Sequence, residues 1–315
     1  MGNRYGVGNA IGKIILIGEH SVVYGKPAIA IPFPDTKVET IIRESVGEVF
    51  IDTVFYKGSI NSVPDKLLAL KSLVENIVEN LGVKLRDFSI EINSTIPYER
   101  GMGSSAGVAV ATTRALFNYF KCPLGDDDLI NLANTSEKIV HGNPSGIDTS
   151  VIVKENGLYF IKEKTMENFN TKIDAYLIVA DSGQESQTKD AIKDLGQLLK
   201  SEPGKYSGLI EELGSLADMV KLAIESNNPI KIGQSMTRAH IILDKLNVSN
   251  TSLNNLVDTA IKNGALGAKL TGGGRGGCII ALCSTKGQAE IIANELMEKG
   301  AERTWISNMG VDTNV

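Results

Sequence analysis

Apolar residues in the first half of the chain follow two spacings, an alternation typical of strands and a longer repeat typical of helices. Alternating and β-branched stretches predict strands at Lys13–Ile17, at Pro27–Pro32, within 37–60 and at Phe88–Ile92. Helical spacing predicts helices at Leu67–Leu81, Ser104–Phe120 and Asp126–His141. The second of these helices begins with small residues, so we expect it to pack closely against another backbone.

A polar segment with short strands, Lys154–Asp174, separates these elements from a second set. The strands predicted in that set are Ala175–Asp181, Ala268–Leu270, Cys278–Cys283 and Thr304–Ser307, and the helices are about Gln187–Lys200, Leu209–Glu225, Ile230–Leu246, Leu253–Asn263 and Gln288–Lys299. A chain of 315 residues is long for one hydrophobic core. We therefore predict an α+β protein with two domains, 1–165 and 166–315.

Composition and charge narrow the class of partner. The net charge of −5 argues against nucleic acid or an anionic membrane as the main partner. No stretch approaches the roughly 18 apolar residues of a membrane span, and the N-terminal residues do not resemble a signal peptide, so we expect a cytoplasmic protein. The three cysteines, Cys122, Cys278 and Cys283, fit neither a disulfide framework nor a zinc-ligand pattern.

A glycine- and serine-rich turn at 97–107 joins a predicted strand to the helix Ser104–Phe120. Its glycines allow backbone N–H groups to converge, and the helix start adds further N–H groups and a partial positive charge. The turn therefore suits a phosphate chain, although a tight turn with Ser104 as an ordinary N-cap would give the same pattern. A dinucleotide fingerprint fails on glycine spacing, and a Walker loop fails because Ile14 follows Lys13 where a hydroxyl residue is required.

Two further segments carry unusual residues. Gly12–Ala28 places Lys13 at the start of a buried strand, where its ammonium group needs an anion or water, and Glu19 and His20 in the loop that follows. Taken alone, Glu19 and His20 are more typical of a surface pair. Lys269–Cys278 contains five glycines within six residues, which favours close backbone approach to a ligand or to another loop over a simple hairpin.

Together these segments resemble the three signature motifs of the GHMP kinases, a family named after galacto-, homoserine, mevalonate and phosphomevalonate kinases. The segments Gly12–Ala28, Pro97–Gly107 and Lys269–Cys278 occur in the family's order, and the string His141–Asp148 strengthens the match. The resemblance extends from position 8 to about 307. It implies the family's two-domain fold, with an N-terminal ribosomal-protein-S5-like α/β domain and a C-terminal ferredoxin-like α+β domain.

The resemblance also implies a reaction, because Gly12–Ala28 is most similar to the branch of the family that phosphorylates mevalonate with ATP. It assigns Asp148 as the acceptor of the hydroxyl proton. Lys13 would lie beside Asp148 and lower the pKa of the alcohol. The resemblance assigns Ser105 and Glu137 as ligands of Mg²⁺, an ion that prefers hard oxygen ligands.

The remaining site residues are likewise implied by the resemblance. The phosphate chain of ATP would contact Gly101, Met102, Gly103, Ser104, Ser105 and Ala106. Mevalonate would contact Glu19, His20 and Thr188. The glycines Gly272, Gly273 and Gly274 would pack on the phosphate turn. The adenine pocket would lie between the strands after residue 50 and the phosphate helix, where no single residue stands out.

Some features leave alternatives open. Relatives often have alanine and glycine where this chain has Gly273 and Arg275, and Arg275 would either touch a phosphate or point to solvent. A phosphomevalonate kinase is the nearest alternative, a diphosphomevalonate decarboxylase a weaker one, and a non-catalytic ligand-sensing relative is disfavoured because Lys13, Glu137 and Asp148 are all present. The expected partner is a small molecule, and a homodimer is compatible with the resemblance.

Overall fold

The computed structural model describes residues 4–141 and 145–310. Its strands are β1 Tyr5–Ile17, β2 Ala28–Glu48, β3 Phe50–Thr53, β4 Tyr56–Ser59, β5 Arg86–Ser94, β6 Gly157–Ile161, β7 Thr165–Phe169, β8 Tyr176–Asp181, β9 Gly267–Thr271, β10 Cys278–Cys283 and β11 Arg303–Asn308. Its α-helices are α1 Leu68–Asn80, α2 Ser104–Phe120, α3 Asp126–His141, α4 Ile147–Lys154, α5 Thr188–Ser201, α6 Pro203–Glu225, α7 Pro229–Lys245, α8 Thr251–Lys262 and α9 Lys286–Glu298. Residues 142–144 of the string His141–Asp148 lie outside the described residues.

The chain forms two compact units that are discontinuous in sequence. The first unit contains the residues up to Lys13, Thr36–Pro97 and Gly103–Glu155. The second unit contains Ile14–Asp35, Tyr98–Met102 and the residues from Asn156 onward. These units are defined by packing, and the boundary that the sequence suggests between 1–165 and 166–315 stays a prediction.

The first unit is built on a sheet that contains the C-terminal part of β2 with β3, β4 and β5. Ile90 of β5 lies opposite Ile42 of the antiparallel strand β2 and opposite Ile51 of the parallel strand β3, and all three side chains are buried. On the same face Thr40 Oγ1 lies 3.3 Å from Thr112 Oγ1 of α2. The alternation in the sequence therefore separates a face covered by helices from a more exposed face.

Helix α2 packs closely against β1, as its small residues predict. A Cβ at Gly8 would overlap the carbonyl oxygen of Ala111, and a Cβ at Gly6 would lie 2.7 Å from the Cα atom of Tyr119. The expectation of a close backbone approach is therefore confirmed. Gly6 and Gly8, whose spacing approaches a dinucleotide fingerprint, are needed for packing between strand and helix.

The second unit contains an antiparallel sheet with the strand order β11-β8-β10-β9. Every residue of Cys278–Cys283 is buried, which explains why this strand is a continuous apolar run. Helix α7 approaches β9 so closely that a Cβ at Gly267 would lie 2.5 Å from the Cα atom of Gly233. Among the residues that the structure describes, no helix combines the length and the apolar character that crossing a bilayer requires.

The sequence pattern does not predict helix α4, and it ends the second strand too early. Nearly all residues of α4 are buried, so the helix has no polar face and shows no helical alternation. Strand β2 continues beyond Pro32 because Pro32 and Pro34 lie between the residues that pair with β6 and those that pair with β5. Neither proline occupies a position where those pairings require an N–H group.

We expect Gly8→Ala to destabilise the protein by about 1–3 kcal/mol, since the new Cβ must push α2 away from β1. Urea denaturation measures the change in the free energy of unfolding. Gly208→Ala in α6 is the control, because no neighbouring atom lies within 4 Å of a Cβ there. The control should be neutral or stabilising by up to about 1 kcal/mol, since alanine favours helix. Equal stability of Gly8→Ala and the natural protein would contradict the close approach.

Candidate functional site

In the first unit, the predicted phosphate turn ends at the N-terminus of α2. Gly103 occupies the N-cap position with a φ of 78°, and Ser104 is the first helical residue. No side chain caps this helix, so the interpretation of Ser104 as an ordinary N-cap is wrong. The first turn of α2 therefore retains the N–H donors and the partial positive charge that favour an anion.

The side chain of Lys13 lies across this turn and reaches Asp148. A Cβ at Gly103 would lie 2.9 Å from Lys13 Cγ, so the glycine provides room for the lysine stem as well as the left-handed backbone. Lys13 is only 2% exposed, and its Nζ lies 3.1 Å from Asp148 Oδ1. Asp148 lies in the first turn of α4, where the helix dipole favours a carboxylate. Its side chain is about 35% exposed, so it can meet a ligand.

Glu137 and Ser105 form a second pair in the first unit. Ser105 Oγ donates a hydrogen bond of 2.5 Å to Glu137 Oε1, joining the first turn of α2 to α3. Glu137 is 4% exposed, and burial raises its pKa to about 7. The bond from Ser105 opposes this rise, whereas the negative charge of Asp148 adds to it. A buried carboxyl with a raised pKa is a feature of sites that bind cations or move protons.

The donor set of Ser105 and Glu137 fits Mg²⁺. Both supply hard oxygen atoms, and Mg²⁺ at a nucleotide is usually held by one or two protein ligands together with phosphate oxygens and water. Among the described residues no group of three or more His, Cys, Asp or Glu side chains could hold a metal, so a cage made of protein ligands alone is absent there. Such an ion would favour the charged form of Glu137 and offset its burial.

In the second unit, Glu19 is paired with a lysine that the sequence reasoning does not single out. Lys269 of β9 is fully buried, and its Nζ donates hydrogen bonds to Glu19 Oε1 and, at 2.5 Å, to the carbonyl of Leu270. Burial lowers the pKa of Lys269, and the Glu19 carboxylate opposes this shift. The signal in the sequence is a lysine between the apolar residues Ala268 and Leu270 of a predicted strand, and it is comparable to Lys13 at the start of another buried strand.

His20 follows Glu19 and bonds to the glycine cluster of the second unit. Its backbone has a φ of 62°, and its Nε2 donates a hydrogen bond of 3.0 Å to the carbonyl of Gly273. Burial lowers its pKa to about 4, so the ring is neutral near pH 7. Because Nε2 carries the proton, Nδ1 is an acceptor, and it is a buried atom without a hydrogen-bond partner among the described residues.

The start of the phosphate turn, Tyr98–Met102, also packs within the second unit. Gly272 lies against Gly101, since a Cβ at Gly272 would lie 2.8 Å from the Cα atom of Gly101. Arg100, which the sequence reasoning does not assign, donates to Asp181 Oδ1 at 2.9 Å and to the carbonyl of Gly183 at 3.0 Å. Its guanidinium group therefore fixes the turn to the end of β8.

Thr188 belongs to helix α5 of the second unit, and Arg275 contacts that helix. Thr188 is the first residue of α5, and its Oγ1 lies 3.3 Å from Ser186 Oγ. Arg275 pairs with Asp194 on the second turn of α5, with 2.6 Å between Arg275 Nη1 and Asp194 Oδ2. Arg275 is therefore held by an ion pair with α5, and its side chain does not simply point to solvent.

A cleft of about 620 Å³ opens in the first unit beside the middle of β2 and the ends of β3 and β5. Its walls include Lys37, Asp52, Val54 and the residues Asn93–Thr95. The stretch at 52–54 belongs to the region after residue 50 where the resemblance puts the adenine pocket.

Known proteins resemble the chain over nearly its whole length. Residues 69–155 match the family model described as GHMP kinases N terminal domain, and residues 219–302 match GHMP kinases C terminal. The chain is 32% identical over 304 residues to the mevalonate kinase of Pyrococcus abyssi, covering 90% of each chain.

Solved structures of kinases match the chain over nearly its whole length as well. The crystal structure of mevalonate kinase from methicillin-resistant Staphylococcus aureus aligns with a TM-score of 0.78 at 33% identity, covering 98% of this chain and 100% of that one. The L. major mevalonate kinase in complex with R-mevalonate aligns with a TM-score of 0.83 at 24% identity, covering 99% and 97%, which shows a shared fold. The predicted two-domain α+β kinase fold is confirmed. This chain is an enzyme that belongs to the GHMP kinase family.

Proposed function

We propose that the chain transfers the γ-phosphoryl group of ATP to the primary hydroxyl of mevalonate, giving 5-phosphomevalonate. The observation that carries this proposal is the pairing of buried Lys13 with Asp148 at 3.1 Å, in a site that also contains the Ser105–Glu137 pair. The relatives at about one-third identity support the choice of substrate, since they are mevalonate kinases.

Asp148 is the proposed acceptor of the hydroxyl proton. As the hydroxyl oxygen forms its bond to the γ-phosphorus in line, the bond from that phosphorus to the β-γ bridging oxygen breaks. ADP leaves, and the proton passes to the Asp148 carboxylate. Lys13 stabilises the negative charge that develops on the attacking oxygen, and the packing of its stem on Gly103 limits its motion.

The phosphate chain of ATP lies, in this proposal, against Gly101–Ala106, where glycine backbone and the start of α2 supply N–H donors. Ser105 and Glu137 would hold Mg²⁺. When bound, the ion neutralises charge on the β- and γ-phosphates. The two side chains that would bind it are adjacent, with 2.5 Å between Ser105 Oγ and Glu137 Oε1.

Mevalonate is held, in this proposal, by Glu19, His20 and Thr188. The neutral His20 ring offers Nδ1 as an acceptor for a substrate hydroxyl, since its Nε2 donates its hydrogen bond to the carbonyl of Gly273. The carboxylate of Glu19 is fixed by Lys269, so it can accept a hydrogen bond in one defined direction. A ligand with several hydroxyl groups suits such a set of acceptors.

An assay of ADP release with purified protein, ATP and Mg²⁺ tests the proposed substrate. We expect ADP release to depend on mevalonate, because the acceptors described above match hydroxyl groups. Phosphomevalonate is the comparison substrate and should give little release. Release with phosphomevalonate and none with mevalonate would overturn the assignment and favour a phosphomevalonate kinase.

We expect Asp148→Asn and Lys13→Met each to lower kcat by roughly 10²–10⁴-fold while the far-ultraviolet circular dichroism stays unchanged. The amide cannot accept the proton as the carboxylate does, and methionine keeps the stem of Lys13 without its charge. The control is Lys71→Met on α1, which removes a half-buried lysine paired with Glu75 in the first unit. Near-normal turnover in either site variant would rule out this handling of the proton.

The pKa of Glu137 predicts a pH dependence of metal-free stability. Its carboxyl binds a proton up to about pH 7 in the folded chain but only to about 4.5 when unfolded, so stability should fall as pH rises from about 4.5 through 7. The slope is at most about 1.4 kcal/mol per pH unit for this one proton. Urea denaturation at pH 5.5 and 8 measures the difference.

Glu137→Gln should remove this part of the pH dependence, because an amide does not titrate. Mg²⁺ with a nucleotide should stabilise the natural protein more at pH 8 than at pH 5.5, since the carboxylate must be deprotonated to bind the ion. A variant with the same pH dependence as the natural protein would show that Glu137 is not the titrating group.

A further inference from the structure

Gly273 supports the first turn of helix α5 through its backbone. Its own conformation needs no glycine, since its φ lies outside the left-handed range, yet a Cβ there would lie 2.7 Å from the Cβ atom of Thr188. Rotation of the Thr188 side chain cannot relieve that contact, because a Cβ atom is fixed to the backbone. The start of α5 therefore rests directly on the glycine cluster.

The residues before α5 bond to the same cluster. The backbone N–H of Gln187 donates to the carbonyl of Gly274 at 3.1 Å, and Ser186 Oγ donates to that carbonyl at 3.2 Å. The neighbouring carbonyl, that of Gly273, accepts the bond from His20 Nε2. The peptide groups of Gly273 and Gly274 thus hold both His20 and the segment that leads to Thr188.

Arg275 forms an ion pair between the glycine cluster and the body of α5. Its Nη1 lies 2.6 Å from Asp194 Oδ2, its Nε donates to the carbonyl of Asn247 at 2.8 Å, and its backbone N–H donates to the carbonyl of Val248 at 2.8 Å. The side chain of Arg275 is 15% exposed, and its backbone has a φ of 55°. Arg275 therefore joins α5 to the segment between α7 and α8.

The rest of α5 is weakly anchored by apolar burial. Of its fourteen residues, only Ala191 and Leu195 are fully buried, and the helix has no side-chain cap at its N-terminus. A helix with so little buried apolar surface depends more on its polar contacts for its position. The ion pair with Arg275 lies on the turn next to Leu195, where it adds to this small apolar contact.

We propose that Arg275 is a positioning residue that acts through Asp194 to hold α5 on the glycine cluster, and thereby sets the position of Thr188 for the alcohol substrate. The proposal rests on the proposed function, which gives Thr188 a contact with mevalonate. Arg275 itself touches no reacting group. Gly273 is the second part of the arrangement, because the absence of its side chain permits the approach that Arg275 maintains.

The test compares Arg275→Asn, Asp194→Asn and the double variant in steady-state kinetics. Asparagine tolerates the left-handed backbone at position 275 and removes the charge. We expect each single variant to raise KM for mevalonate roughly threefold to tenfold, with kcat and KM for ATP changed less than twofold. The double variant should resemble the single variants, because either one alone breaks the ion pair. Arg275→Lys should restore part of the affinity.

The control is Arg238→Gln, which breaks another arginine–carboxylate pair of the second unit, between α7 and Glu212 of α6. It should leave KM for mevalonate unchanged. Gly273→Ala tests the other part of the arrangement and should also raise KM for mevalonate, since the start of α5 must move. Unchanged KM for mevalonate in Arg275→Asn and in Asp194→Asn would overturn the proposal.

Hydrogen exchange separates this proposal from the proposed substrate. We expect faster exchange of the amides of Thr188–Ser201 in Arg275→Asn and Asp194→Asn than in the natural protein or in Arg238→Gln, whatever the substrate is. Faster exchange together with no turnover of mevalonate by the natural protein would overturn the substrate and retain the positioning role. Unchanged exchange would overturn the positioning role even if mevalonate is the substrate.

Discussion

The ammonium group of Lys13 imposes the main constraint on the proposed reaction site of the first unit. A lysine that is 2% exposed must have an anionic partner, and Asp148 provides it at 3.1 Å. The stem of Lys13 needs space, which Gly103 supplies by having no side chain. The turn, the start of α2 and the start of α4 are thus positioned around one charge. Glu137, with its raised pKa, experiences both charges of that pair.

The second unit also contains a buried lysine that is paired with a carboxylate. Lys269 is fully buried in β9 and is paired with Glu19, so the loop after β1 is fixed by an ion pair in the core. The next residue, His20, is also fixed: its backbone is left-handed, and its ring bonds to the carbonyl of Gly273. Buried charges of this kind contribute little net stability, but removal of either partner leaves an uncompensated charge. In the proposed function, the Lys269–Glu19 pair holds the Glu19 carboxylate in a fixed direction.

Several glycine residues in both units are contact points between backbones. Gly8 lies against the backbone of α2, Gly267 lies against that of α7, and Gly272 lies against Gly101 of the phosphate turn. In each place a Cβ atom would overlap backbone atoms, which cannot rotate away. Close packing around strands and loops therefore accounts for part of the chain's 32 glycines, whereas others, such as Gly25 and Gly82, have no neighbour within 4 Å of a Cβ and adopt a positive φ. Gly273 extends this principle to a helix that carries a proposed substrate contact.

The sequence by itself determined the type of most elements, since apolar spacing gives α2 and α3 with their observed ends. It also determined the family, because three glycine-rich or charged segments occur in a characteristic order. It did not determine α4, whose burial on all sides removes the helical pattern, or the roles of Lys269, Arg100 and Arg275. Those depend on partners distant in the chain, Glu19, Asp181 and Asp194, and a pairing between distant residues has no periodic signal. Only the tertiary structure decides which charges meet.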